Sequence, residues 1–198
     1  MLRVILAAVI GGLIVFVWNF VSWMVLPFHG QTLDRIPGEP AQVEEFLGTF
    51  PESGVYHYPG MPPSSNPSEQ EMADWTEAYK SGPRVKMMIV EHGDADAAMG
   101  KETLTALLLD IGGAFMVAQL LALVGPAVVF YWQRVGFVVM LVCFALVVGY
   151  LPDWIWWGHP VDFALLKVAD ILLAWFLAGL VIAAIVDPGR PQEVASGN

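Results

Sequence analysis

Residues 104–151 read LTALLLDIGGAFMVAQLLALVGPAVVFYWQRVGFVVMLVCFALVVGYL. Apart from Asp110, Gln119, Gln133 and Arg134, nearly every side chain in this stretch would sit comfortably in hydrocarbon. One helix crosses a bilayer core in about 20 residues, so the run is long enough to cross, turn and cross back. Tyr131, Trp132, Gln133 and Arg134 mark the expected turn, because aromatic rings beside a fixed positive charge suit a membrane–water interface. An alternative places the turn at Gly125-Pro126 and leaves Arg134 to snorkel from within a helix. Either way, the stretch predicts a membrane protein.

Composition agrees with that reading. Hydrophobic residues make up 57% of the chain and charged residues only 14%, with a mean hydropathy of +0.61. Ordinary soluble domains carry far more charge. The single cysteine, Cys143, lies inside the apolar block and excludes an intramolecular disulfide. Of the net charge of −10, most falls between Phe28 and Glu102, where 13 acids face 5 bases. An acidic chain of this kind is unsuited to nucleic acid, whose phosphates need a basic surface.

Upstream, Arg3 precedes an apolar run from Val4 to Leu26. That run is too long for a secretory signal and ends without a small-residue cleavage site, so it reads as an uncleaved first span over residues 1–27. Ala7 and Ala8 are each followed four residues later by Gly11 and Gly12, a small-residue face that allows close helix approach. Trp18, Trp23 and Phe28 stand at its far end as interface anchors.

Residues 28–102 form the expected water-exposed α+β insertion. Pro40 to Leu47 predicts a short helix with proline in its first turn and Gly48 beyond its end. Val55 to Tyr58 predicts a strand closed by Pro59-Gly60, and Arg84 to His92 a second. Between them Glu69 to Ser81 predicts an amphipathic helix, with Met72, Trp75 and Tyr79 on one side. Two strands are few for a free-standing sheet, so the domain should lean on the spans or on a partner. The tryptophan loop Trp154–Trp157 is the expected resting place.

Further spans are expected at Leu104 to about Val129, Val135 to Leu151 and Val161 to Val186, within residues 103–186. Ala114, Ala118 and Ala122 give the second span its own small-residue stripe. Pro152 to Pro160 reads as a short outer loop whose Trp154, Trp156 and Trp157 sit at headgroup depth, with Trp132 at the opposite interface. The expected fold is thus an antiparallel bundle of four transmembrane helices, mainly α, with an α+β domain inserted after the first. Arg3, Arg134 and Arg190 fall on one side in this arrangement. That side should be the cytoplasm, with both termini and the 187–198 tail there, the acidic insertion outside and the host membrane a bacterial inner membrane.

Four polar residues are set inside the spans at similar depth: Asn19, Asp110, Lys167 and Asp170. Lys167 and Asp170 are three apart and share a helix face. Charges in hydrocarbon face the interior and pair, which predicts either a structural Asp–Lys–Asp clasp or a proton or ion relay. The inner half of the spans offers only Gln119 and Gln133, so no continuous path is visible.

The histidines His29, His57, His92 and His159 all fall toward the outer side, with Met61, Met87 and Met88 nearby. A copper or zinc site from these residues is conceivable, although none shows close ligand spacing. No cofactor is otherwise expected. There is no nucleophile elbow, P-loop, dinucleotide glycine pattern, CxxCH or internal repeat. Three readings follow. The leading one is a non-catalytic accessory, scaffold or assembly subunit in a larger membrane complex, partnered by lipid and by other subunits or a second copy through its small-residue faces. The others are a small transporter or proton-coupled channel using Asp110, Lys167 and Asp170, and an envelope metal handler or enzyme using the histidines.

Overall fold

A computed structural model describes residues 1–186 of the chain. The 187–198 tail, with Arg190 and the Asp187-Pro188-Gly189 stop, lies outside the described residues. The described chain is mostly helical, with one small antiparallel sheet. It divides into two compact units, one of residues 1–34 with 96 onward, the other Arg35–Ala95.

The first unit contains four helices long and apolar enough to cross a membrane, spanning Leu2–Val25, Gly100–Ala127, Tyr131–Trp157 and Val161–Ile185. Their cores are α1 (Leu2–Phe20), α4 (Gly100–Val124), α5 (Tyr131–Ala145) and α7 (Val161–Ile185). Helix α1 packs against both α4 and α7, and α7 also takes α5; α4 and α5, consecutive in sequence, touch only sparingly. Small residues make the central contacts possible. Ala7, Ala8, Gly11 and Gly12 are all buried on α1, and a Cβ at Gly11 would meet Ile182 of α7 and Ala114 of α4; Ala118, Ala174, Ala178 and Ala183 are buried as well. At Gly12 the approach is closest: a Cβ there would fall 2.5 Å from the Ile111 Cα. Larger side chains fill the remaining space, with Val15, Leu121, Val138 and Ile182 almost wholly buried.

Two expectations about the connections need correction. The turn between the second and third spans is not at Tyr131–Arg134. The chain leaves α4 in a 3-10 turn at Gly125–Ala127, and α5 has already begun at Tyr131. Gly125-Pro126 breaks the helix because proline cannot donate to it, whereas Arg134 lies in the first turns of α5 and is buried. Nor is Pro152 to Pro160 a loop. A π turn at Leu146–Tyr150 runs on into α6 (Leu151–Trp157), with Pro152 at its start, where a missing N–H costs little. Gly158, at φ +66°, ends α6 in the left-handed conformation that glycine adopts without strain.

The second unit carries α2 (Pro40–Leu47), β1 (Gly54–Tyr58), α3 (Glu69–Ser81) and β2 (Val85–Val90). Both helices have the expected bounds, because both are set by local caps. The Glu39 N–H donates to Gln42 Oε1 at 3.0 Å ahead of α2, and the Ser68 N–H donates to Glu71 Oε2 at 2.7 Å ahead of α3. The strands pair antiparallel, Val55 opposite Ile89 and Tyr56 opposite Met88. Phe46, Phe50 and Tyr56 form a small aromatic chain, and the Tyr56 hydroxyl donates to the Glu52 carbonyl. Burial is nevertheless slight. Only Pro59 and Val90 in this unit are buried.

Candidate functional site

The site begins where α1 stops being a regular helix. From Val21 to Val25 the backbone widens into a π turn, and the Leu26 N–H donates to the Val21 carbonyl at 2.9 Å. Such turns re-aim side chains and recur at functional sites. Here the turn places Ser22 inside, 1% exposed. The chain then folds back through a 3-10 turn, His29–Gln31, closed by the Thr32 hydroxyl donating to the His29 carbonyl.

That return brings the His29 ring flat onto Trp23, with centroids 3.7 Å apart and planes 5° from parallel. Its Nε2 lies 3.1 Å from Ser22 Oγ and 3.3 Å from Asp170 Oδ2. The other carboxylate oxygen, Oδ1, accepts the Trp18 indole N–H at 2.6 Å. Asp170 on α7 is therefore held from two directions by the end of α1 and the segment after it. His29, Ser22 and Asp170 are all buried. A carboxylate in this position needs such partners, since an unpaired charge in an apolar interior is strongly disfavoured.

This arrangement replaces the expected Asp–Lys–Asp clasp. Lys167, one turn from Asp170, has its Nζ 5.9 Å from the Trp23 ring centroid, an aromatic rather than an acidic neighbour. Asp110 has neighbours different from those of Asp170. With Asn19, its hydrogen-bonding neighbour, it lines a cavity of about 270 Å³ shared with Phe16, Glu102 and Thr103. Asp110 Oδ2 is buried there without a partner among the described residues. Consecutive residues of α1 thus serve different helices: Trp18 reaches α7 and Asn19 reaches α4. Trp23 belongs to both places, lining the Asp110 cavity while stacking on His29.

The geometry limits the chemistry. Ser22, His29 and Asp170 resemble the parts of a nucleophilic triad, but serine and carboxylate both address the same ring nitrogen. A triad needs them on opposite nitrogens so that the base can pass a proton along. What these contacts do is tie the end of α1 and the segment after it to Asp170 on α7.

The other expected residues are scattered. His57 lies exposed on β1, and His92 is exposed beyond β2 with its N–H donating to Ser53 Oγ at 2.8 Å. His159 accepts the Trp154 indole N–H on its carbonyl at 3.1 Å and meets Phe163 edge to face. Among the described residues no three histidine, cysteine or acidic side chains come together as a metal would require. Trp132 and Trp156 are exposed, whereas Trp18 is engaged by Asp170. Ser22 has no sequence signal beyond one hydroxyl in an apolar run.

No protein-family model, curated protein or solved structure matches this chain.

Proposed function

We propose that the chain is a non-catalytic accessory, scaffold or assembly subunit of a larger inner-membrane complex. In this reading the spans form an antiparallel bundle with both termini in the cytoplasm and the inserted domain on the outer side, as the positive-inside rule applied to Arg3 and Arg134 favours. One observation carries the proposal. The inserted unit has an uncovered apolar strand face, on which the cross-strand partners Val55 and Ile89 are 62% and 72% exposed. Met87, two residues from Ile89, shares that face. An exposed apolar sheet face in a domain with so little core supports the reading that another protein completes it. Membranes solubilised in mild detergent should yield this chain together with defined polypeptides. A strictly monomeric, partner-free protein would contradict the proposal. For the topology, reporter fusions after Gly60 and Val128 should be active in opposite compartments; activity of both in one compartment would contradict it.

A second reading, a small transporter or proton-coupled channel, draws support from the 3.3 Å contact between buried His29 and Asp170. Liposome flux that persists after Asp110→Asn and Asp170→Asn would remove it.

A further inference from the structure

A groove of about 340 Å³ opens beside the sparse contact between α4 and α5. Its walls include Gly113, Leu120, Ala145, Leu146 and Trp175, and its one hydroxyl belongs to Tyr150. That hydroxyl oxygen is buried and has no hydrogen-bond partner among the described residues. His159 Nδ1, on a ring centred 6.1 Å from that of Tyr150, is buried in the same unpartnered way.

We propose that this groove is a lipid site, holding one acyl chain of a membrane phospholipid whose ester carbonyl accepts the Tyr150 hydroxyl. The lining is apolar and belongs to helices long enough to cross a membrane, so the medium that meets it is lipid tails. A phenol buried in hydrocarbon without a partner is disfavoured by about 2–7 kcal/mol, so the occupant must bring an acceptor as well as a tail. Depth selects which acceptor. Tyr150 lies seven residues before Trp157, the end of its helix, or about 10 Å at 1.5 Å per residue. The headgroup layer is only about 6 Å deep on each side of the core. Phosphates and amines therefore lie above Tyr150, and the carbonyl at the head of an acyl chain is the nearest acceptor.

The test uses the full-length protein in mild detergent, titrated with palmitoyl-oleoyl-phosphatidylethanolamine and followed by native mass spectrometry. Wild type should retain one tightly held phospholipid per chain. Tyr150→Phe should weaken that retention roughly two- to tenfold, the worth of one hydrogen bond. Ala145→Trp, which fills the groove from an exposed position, should abolish it, with circular dichroism confirming that helix content is unchanged. Equal retention in all three proteins would overturn the proposal, as would no retained phospholipid in wild type. A polyprenyl quinone or a partner polypeptide in the groove would also overturn it. Failure here leaves the subunit reading intact, because that reading rests on the inserted domain.

Discussion

Gly12 and Ile89 stand at opposite ends of how this chain uses its side chains. Gly12 has no side chain because α1 and α4 leave it no room, the Ile111 backbone lying within 2.5 Å of where a Cβ would be. Ile89 has a large apolar side chain that is 72% exposed. The span unit is cemented by alanine, glycine and valine at close helix contacts, as expected where lipid is as apolar as leucine and only fit distinguishes a neighbour. The inserted unit has polar caps, one aromatic chain and almost no interior. In the span unit, small residues at the helix contacts let larger ones such as Leu121 and Ile182 pack to full burial. The inserted unit instead leaves large apolar side chains, Val55 and Ile89 among them, exposed.

Separating the units tests this contrast most severely. Residues 35–95 expressed alone should show no cooperative thermal transition by circular dichroism, since two strands and one buried valine cannot offset the chain entropy of folding. A sharp transition would break the contrast. Within the spans, Gly12→Ala should cost about 3 kcal/mol or more, because a backbone atom must move to admit the methyl group. Thermal unfolding in detergent would measure it, and a neutral result would mean that α1 and α4 are not in close contact.

The polar network gives a middle-sized effect with a specific order. Asp170→Leu strands the Trp18 indole and the His29 ring without their acceptor and should cost about 3 kcal/mol. Asp170→Asn keeps an acceptor and should cost less. Lys167→Met removes only an aromatic contact and should cost under about 1 kcal/mol. The reverse order, lysine worse than aspartate, would restore the clasp. The smallest effect sits on α3. Hydrogen bonds from the Ser68 backbone N–H, and then from its hydroxyl, hold the Glu71 carboxyl below its ordinary range. A depressed carboxyl stabilises the helix start above pH 4.5 and loses that contribution as pH falls through the lowered value. An NMR titration should therefore find the Glu71 midpoint below the ordinary glutamate value, and Ser68→Ala, which removes the hydroxyl but keeps the backbone N–H, should raise it only in part.

How much of this was legible beforehand depends on how far apart the determinants lie. The helices at Pro40–Leu47 and Glu69–Ser81 were readable to the residue, because their caps lie within three residues of the helix. The four apolar helices were equally readable from hydropathy, which is a property of each segment alone. Connections were harder. Hydropathy passes smoothly through Gly125 and Pro126, so the aromatic-basic cluster drew the turn five residues too far. The tryptophan segment looked like a loop because Pro152 and Gly158 bracket it, yet those residues start and stop a helix. The site was the least legible. Asp170 and Lys167 share a helix face on paper, but the partner that holds Asp170 arrives from 141 residues away. Only the π turn and fold-back after α1 bring His29 there, and neither has a sequence signature.

The most direct measurement of the account is photocrosslinking from the uncovered strand face in intact cells. A benzophenone amino acid placed at Ile89 in the full-length protein should give one discrete adduct with another polypeptide. The same probe at the exposed Lys80, near the end of the amphipathic helix α3, should not. Adducts to lipid alone, to the chain itself alone, or none at either position, would contradict the claim that this domain is completed by a partner.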